Sequence, residues 1–237
     1  MPIIKTSMNA ALRMINIWGA DHHGYVARVK AAMEALGFDA DKLEILLLQM
    51  VSLFRNGELV KMSKRTGRAI TLNELIEEVG TDAARYFFIM RSLDTQLDFD
   101  LDLATSHSNE NPVYYIQYAN ARIFSIYRQV AENGDTFDMT WKNVVWNKLQ
   151  EERELELIKK ISAYPEEIQT AAADRAPHRI ARFVYELAGL FHAFYNNCHI
   201  IQSDKELEEA RLALVTAVQI TIANSLAVLG ISAPEKM

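Results

Sequence analysis

The chain has 237 residues, 50% of them hydrophobic, and a formal net charge of −6, which indicates a folded globular protein and argues against a disordered one. The negative charge disfavours a generally basic nucleic-acid binder, although local cationic patches can still meet phosphate. The single cysteine, Cys198, excludes an internal disulfide and predicts a reducing compartment, by default the cytoplasm. We expect no signal peptide, no apolar run long enough to span a bilayer and no membrane partner.

Short strands alternate with a helix in the first part of the chain. Residues 14–18 (MINIW) form an apolar run that ends at Gly19, and residues 22–38 have a helical pattern that ends in a glycine stop. Residues 43–54 are apolar enough to predict one buried strand, followed by an Asn-Gly turn and a hairpin return over residues 58–60. The strand–helix–strand order predicts a parallel α/β sheet, which places ligands at the carboxyl ends of its strands.

Helices are predicted for the remainder. Thr71 and Glu74 form a capping box for a helix that ends at Gly80, and a Thr-Asp pair is expected to cap the next helix. From about residue 102 onward, apolar residues recur at helical spacing, which predicts a bundle of four or five helices. The predicted fold is therefore an α/β part over residues 1–104 followed by an all-α helical bundle over residues 105–237, predominantly helical overall.

The segment VKMSKRTG concentrates positive charge in this acidic chain. Lys61, Lys64, Arg65 and Arg68 lie within eight residues, with no acid among them. Its small residues let backbone amides approach an anion, and it lies between a hairpin and a capped helix. From the residues alone, an anion-binding loop and a solvated surface loop both stay open.

A second candidate site is WGADHHGY, residues 18–25. Gly19 at the end of a strand admits a ligand close to the backbone, and Asp21 could accept from ribose hydroxyls. The alternative is that Asp21 caps a helix, with His22 and His23 as polar residues of its first turn. No set of side chains with metal-ligand spacing accompanies them, so no metal site is predicted, and no nucleophile elbow supports a Ser-His-Asp triad.

A third candidate is an aromatic row on the first helix of the bundle: Tyr114, Tyr115, Tyr118, Arg122 and Phe124. Tyr115, Tyr118 and Arg122 share one helix face. Core packing explains most such rows, but tyrosine and arginine are also the residues on which unstacked bases lie. Another helix begins with a basic end formed by His178, Arg179 and Arg182.

Together these motifs resemble a known family. VKMSKR, residues 60–65, matches the signature loop of class I aminoacyl-tRNA synthetases. WGADHHGY, NPVYYIQYANARI and the closing segment that ends in Pro-Glu-Lys-Met are similar to the arginyl-tRNA synthetase branch, in the same order. The resemblance runs from about Ile15 to Met237. Asn120 departs from it, since histidine is more often expected there, and this puts the fine anticodon contacts in question.

The resemblance implies ATP-dependent attachment of arginine to its tRNA, in a Rossmann-type catalytic domain whose C-terminal part would occupy residues 1–104. Lys61 and Lys64 would be catalytic, holding the phosphates, with Lys64 stabilising the transition state. The implied ATP-binding residues are Gly19, Asp21, His22, Val60, Met62 and Ser63. ATP with Mg²⁺ would be a substrate, with no tightly bound cofactor. The implied anticodon-binding residues of the bundle are Tyr115, Tyr118, Arg122, Tyr195 and Met237.

The family's second signature, His-x-Gly-His, occurs nowhere in the sequence. We therefore expect this chain to be the C-terminal half of an arginine–tRNA ligase and to lack full activity alone. In the full-length enzyme, the partners would be tRNA(Arg), arginine and ATP, and DNA would not be a partner. The alternative is a non-catalytic tRNA-binding module or paralogue. A monomer is expected, and self-association of such a fragment stays open.

Overall fold

The computed structural model describes residues 13–60, 70–134, 140–202 and 204–237. The strands are β1 (Met14–Gly19), β2 (Leu43–Leu48), β3 (Val51–Arg55), β4 (Glu58–Leu59) and β5 (Leu97–Asp100). The α-helices of this part of the chain are α1 (Val26–Ala35), α2 (Leu72–Val79), α3 (Thr81–Ile89), α4 (Leu101–Thr105), α5 (Pro112–Glu132), α6 (Glu152–Ser162), α7 (Tyr164–Ala173), α8 (His178–Asn197) and α9 (Lys205–Leu229). The predicted fold class, an α/β part followed by a helical bundle, is confirmed.

The prediction of one strand over residues 43–54 is wrong, because the segment forms two strands in different sheets. β2 pairs in parallel with β1. β3 lies in the other sheet, antiparallel to β4 and parallel to β5. Between the two strands, the backbone N–H of Gln49 donates to the carbonyl of Leu93 at 2.9 Å. Hydrophobicity could not reveal this break, since the partner that satisfies the N–H is distant in sequence.

The predicted Asn-Gly turn is confirmed. Asn56 and Gly57 have φ angles of +52° and +73°, the left-handed conformation that a two-residue hairpin requires. The turn joins β3 to β4, and the N–H of Val60 donates to the carbonyl of Leu53 at 2.8 Å, which keeps the chain paired with β3. Residues 61–69, which include the cationic cluster, lie outside the described residues.

The first helix is shorter than the predicted range of residues 22–38. Residues 20–25 form a 3-10 turn and α1 begins only at Val26. The two histidines and the glycine at the start of the predicted range have low helix propensity, which favours the tighter turn there. Gly37 follows the helix with a φ of +79°, the conformation expected of a glycine stop.

The two predicted helix caps have different outcomes. In the predicted box, the Thr71 hydroxyl accepts from the N–H of Glu74 at 3.2 Å and the Glu74 carboxylate accepts from the N–H of Thr71 at 2.6 Å. The predicted Thr-Asp cap of α3 is wrong: the helix is preceded by Gly80, at a φ of +80°, with no side-chain cap. Asp82 accepts instead from Gln117 Nε2, at 2.8 Å.

One hydrophobic core joins the second sheet to the bundle. It extends from Leu53 on β3 to Ile231 after α9, across the predicted boundary at residue 104. The β1–α1–β2 unit has a small core of its own, formed by Met33, Ala40 and Leu43. Arg175, in the turn between α7 and α8, forms an ion pair with Glu44 on β2 at 3.5 Å, which links this unit to the bundle.

α9 is the most apolar long helix of the described residues. An apolar stretch within it has a mean hydropathy of 1.9, so by length and composition α9 could cross a membrane, which corrects the expectation that the chain holds no such run. However, 61% of that apolar stretch is buried inside the structure, where α9 packs against α5, α6 and α8. Core helices of this kind meet the same criteria of length and composition.

Candidate nucleic-acid interface

The aromatic row lies at the start of α5, whose first turn is held in place by Asn111. The Asn111 side chain accepts from the N–H of Val113 at 3.0 Å and donates to the carbonyls of Ala104 and Ser106 at 3.1 and 2.9 Å. Pro112 follows it in the first turn, where a backbone N–H has no helical partner to lose. The helix therefore begins at a defined residue, and the tyrosines of its first two turns have defined directions.

Arg122 lies between two tyrosine rings. Its guanidinium carbon is 4.6 Å from the ring centroid of Tyr118 and 4.5 Å from that of Tyr195, which comes from α8. Arg122 Nη2 also donates to the Tyr118 hydroxyl at 2.6 Å. A guanidinium stacked on aromatic faces keeps its charge while its orientation is restricted. Arg122 therefore contacts both predicted tyrosines, although the three residues belong to two helices.

A cavity of about 520 Å³ opens beside this cluster. Its lining residues are Tyr118, Ala121, Arg122, Ser125, Arg128, Tyr195, Lys236 and Met237. The lining residues that the structure describes include three cationic side chains and no acidic side chain. Aromatic faces next to cations suit an unpaired nucleotide, whose base stacks and whose phosphate is negative.

The predicted contact residue Met237 reaches this cavity because α5 holds the C-terminal segment. The Asn120 side chain, which is fully buried, donates to the carbonyls of Ala233 and Pro234 at 3.2 and 2.8 Å. An amide side chain satisfies two backbone acceptors here, which a neutral imidazole with one N–H could not do. The asparagine that departs from the family pattern is thus an anchor for the segment that carries Met237.

Tyr115 points toward α8 and lines a neighbouring cavity of about 360 Å³ together with Arg122 and His192. Its ring lies 4.5 Å from the His192 ring and 5.4 Å from the Tyr185 ring. Burial raises the pKa of the Tyr115 hydroxyl. Burial also lowers the pKa of His192, and the positive charge of Arg122 adds to this effect, so His192 is an uncharged aromatic neighbour at neutral pH.

The basic end predicted for α8 is neutralised by acids. Arg179 forms an ion pair with Glu167 at 2.9 Å, and Arg182 forms one with Glu186 at 2.8 Å. This end of the helix is therefore a poor candidate for binding phosphate, since each guanidinium already has a carboxylate partner.

The predicted nucleotide corner is exposed. A Cβ on Gly19 would lie 2.5 Å from Asp21 Oδ1, so glycine lets the carboxylate fold back over the end of β1. The alternative of Asp21 as a helix cap is wrong, because Gly19 precedes the 3-10 turn, with no side-chain cap. His22 Nε2 lies 3.8 Å from Asp21 Oδ2. In the described part of the chain, no hydrogen bond, ion pair or ring contact joins His22 or Asp21 to Val60. The predicted residues Lys61, Met62, Ser63 and Lys64 lie outside that part.

Several residues of the interface were not predicted from the sequence. Arg128 and Lys236 add charge to the larger cavity, and His192 packs against the Tyr115 and Tyr118 rings. Because His192 and Tyr195 are three residues apart on one helix, they share a face, and this spacing could have identified the histidine as part of the interface. No group of three or more metal-ligating side chains occurs among the residues that the structure describes.

Comparisons with known proteins agree on one family. The DALR anticodon binding domain family matches residues 116–237. An arginine–tRNA ligase of Desulforudis audaxviator is 56% identical over 224 residues, which are 94% of this chain and 40% of that protein. The arginine–tRNA ligase of Bacillus licheniformis is 54% identical over 226 residues, 95% of this chain and 40% of its own length.

Solved structures give the same result. A structure assigned as an arginyl-tRNA synthetase of Campylobacter jejuni has a TM-score of 0.87 and 37% identity, covering 99% of this chain and 50% of that one. The Thermus thermophilus arginyl-tRNA synthetase has a TM-score of 0.75 and 26% identity, covering 95% and 41%. The chain thus spans about 40% of the length of the curated relatives above. It belongs to the DALR anticodon-binding domain family and matches the C-terminal part of arginine–tRNA ligases.

Proposed function

We propose that the chain binds the anticodon loop of tRNA(Arg) as part of an arginine–tRNA ligase. The binding surface, called here the anticodon face, consists of Tyr115, Tyr118, Arg122, Tyr195 and Met237. The observation that carries the proposal is the position of Arg122, held between two tyrosine rings beside a cavity whose described lining has cationic and no acidic side chains. Anticodon-loop bases can stack on such rings while their phosphates meet the cations.

In the reaction of the whole enzyme, the arginine carboxylate would attack the α-phosphorus of ATP and pyrophosphate would leave. The arginyl group would then pass to a hydroxyl of the tRNA, and AMP would leave. Lys61 and Lys64 would neutralise the charge that develops on the phosphates, with Lys64 the main contributor. Mg²⁺ would accompany ATP as its usual counterion. Residues 1–104 would thus supply part of the catalytic domain and residues 105–237 the anticodon-binding domain, in a cytoplasmic monomer.

The remaining predicted ATP contacts surround the nucleoside. Gly19, Asp21 and His22 would receive the adenosine, with the carboxylate of Asp21 accepting from ribose hydroxyls. The exposure of Asp21 and His22 supports this role, since a ligand can reach both side chains. The backbone around Val60 and Met62, with Ser63, would contact the adenine. These residues need the missing His-x-Gly-His partner, so the chain by itself should not activate arginine.

The anticodon proposal is tested by titrating labelled anticodon stem-loop RNA of an arginine tRNA with the purified chain and following fluorescence anisotropy. Tyr118→Ala should weaken binding about tenfold or more, because a stacked base loses its platform. Tyr25→Ala is the matched control, since Tyr25 also stacks with an arginine, Arg28 at 5.3 Å, but lies in the N-terminal part. Absence of binding by the unmodified chain at low salt would refute the proposal.

Arginine-dependent ATP–pyrophosphate exchange tests arginine activation separately from RNA binding. The chain should bind the stem-loop and show no exchange, as either a ligase fragment or a non-catalytic RNA-binding module would. Addition of a separately expressed N-terminal part of a close relative should restore exchange to a ligase fragment, and Lys64→Ala in this chain should abolish the restored activity. If exchange is restored and is insensitive to Lys64→Ala, the assigned role of that lysine is wrong.

A further inference from the structure

The row of aromatic rings on α5 continues past Tyr118, away from Arg122. The Tyr114 ring lies 6.1 Å from the Tyr118 ring at an interplanar angle of 9°, and the His107 ring lies 5.8 Å from Tyr114 at 14°. Three nearly parallel rings therefore follow one another along this side of the molecule. Tyr114 is partly exposed and His107 is exposed, so both can be reached from solvent.

The position of His107 is determined by the segment between α4 and α5. Asn111, only 4% exposed, bonds the carbonyls of Ala104 and Ser106 on either side of that turn. The Ser106 hydroxyl in addition donates to the carbonyl of Leu103 at 3.0 Å. The backbone around His107 is therefore held by a buried side chain, although its ring is at the surface.

A cavity of about 720 Å³ borders this end of the row. Its lining residues include His107, Tyr114, Gln117, Glu78, Asp82 and Met237. Among its described lining residues, Glu78 and Asp82 carry carboxylates, but Glu78 forms an ion pair with Arg55 at 2.7 Å and Asp82 accepts from Gln117 Nε2 at 2.8 Å. The cavity on the other side of Tyr118 is lined by the cationic side chains Arg122, Arg128 and Lys236. Met237 lines both cavities. The cationic lining residues therefore lie at one end of the row, whereas the carboxylates at the other end already have hydrogen-bond or ion-pair partners.

We propose that His107 and Tyr114 stack one further unpaired nucleotide of the same RNA, with its base in the acid-lined cavity. This inference rests on the proposed binding of the anticodon loop. The lone pairs that Glu78 and Asp82 have left can accept from N–H groups of a base, while the carboxylates disfavour a phosphate in the same cavity. The phosphates on either side of the base lie toward the cationic cavity, where counterion release favours them.

The test is a set of stem-loop RNAs in which each loop nucleotide in turn is made abasic, titrated against the full chain and its variants. His107→Ala should weaken binding of the unmodified stem-loop about fivefold or more, and Tyr114→Leu should do the same, as expected for loss of one stacked base. His23→Ala, an exposed histidine of the N-terminal part, should bind as the unmodified chain does. At one loop position, removal of the base should weaken binding to the unmodified chain. The same removal should not weaken binding to His107→Ala any further, because that variant has already lost the stacking contact.

The outcomes separate this inference from the function on which it rests. If Tyr118→Ala weakens binding and both His107→Ala and Tyr114→Leu bind normally, the inference is wrong and the anticodon proposal survives. If His107→Ala weakens binding of every RNA by the same factor, with no coupled loop position, its role is structural and the inference is again wrong. If the unmodified chain binds no stem-loop, both are refuted. Because His107 is exposed, circular dichroism should show an intact fold in its variant.

Discussion

Arg211 Nε donates to Glu154 Oε1 at 2.6 Å inside the helical bundle, where the two side chains are 8% and 0% exposed. Each partner has a further bond: Arg211 Nη1 donates to the carbonyl of His199 at 2.6 Å, and Glu154 Oε2 accepts from the N–H of Glu151 at 2.9 Å. The pair ties α9 to the start of α6. Removal of either charge would leave the other buried without its partner. The free-energy cost of that unpaired buried charge is larger than the net stabilisation that the intact pair provides.

Glu154→Ala should therefore lower the free energy of unfolding by about 3–5 kcal/mol, measured by urea denaturation. The double variant Glu154→Leu with Arg211→Leu should lose much less than the single one, since neither charge remains buried. The control is Glu156→Ala on the same helix: Glu156 pairs with Arg153 at 2.8 Å, but the two side chains are 36% and 44% exposed, so its loss should stay below about 1 kcal/mol. Equal losses at the two glutamates would contradict the argument.

Asn120→Leu should release the C-terminal segment from α5. Two backbone carbonyls would lose their donor, which should cost about 1–3 kcal/mol of stability and weaken binding of the anticodon stem-loop. Deletion of residues 235–237 separates the two effects: it should weaken RNA binding without a comparable loss of stability. A deletion variant that binds RNA like the unmodified chain would show that Met237 is not a contact residue.

Arg122→Lys should weaken stem-loop binding several-fold although the charge is kept. A lysine ammonium lacks the flat guanidinium that stacks between the Tyr118 and Tyr195 rings. Arg122→Gln should in addition reduce by about one the slope of log affinity against log salt concentration, because one phosphate contact is lost. Anisotropy titrations at several salt concentrations measure both the affinity for the stem-loop and the slope. An unchanged slope for Arg122→Gln would exclude a phosphate contact at this side chain.

The stability of the fold should fall in mild acid partly because of His192. Burial, with a smaller contribution from Arg122, lowers its pKa below the ordinary value of 6.5, while the hydrogen bond to the Tyr115 carbonyl opposes this. The unfolded chain therefore binds this proton at a higher pH than the folded chain does. Above pH 6.5 the folded state carries no such penalty, and as the pH falls from 6.5 toward the lowered pKa it loses stability.

His192→Phe keeps the ring contacts and removes the titrating group, so it should flatten this part of the pH profile. The measurement is the difference between the unfolding free energies of the two proteins, determined by urea denaturation at several pH values. This difference cancels the contributions of the other histidines, which both proteins share. A variant that loses as much stability in acid as the unmodified chain would show that His192 is not responsible.

Local signals in the sequence predicted local structure well. The Asn56-Gly57 turn and the Thr71–Glu74 capping box are both present, because each depends on residues at most three positions apart. The aromatic face of α5 was also predicted, since helical periodicity decides which side chains share a face. The order of an α/β part followed by a helical bundle followed from the same periodic patterns, summed over longer segments.

Tertiary partners decided what local patterns could not. The apolar stretch over residues 43–54 is broken because Gln49 finds a partner in Leu93, and the basic end of α8 is neutralised by acids on other turns and helices. The anticodon face depends on α8 and on the C-terminal segment reaching α5 through Asn120. The sequence by itself determined the helical nature of the bundle and the residue types of this surface, because propensity and periodicity act over a few residues. Only the tertiary structure decided which cationic side chains lie beside the tyrosines, because that depends on contacts between residues distant along the chain.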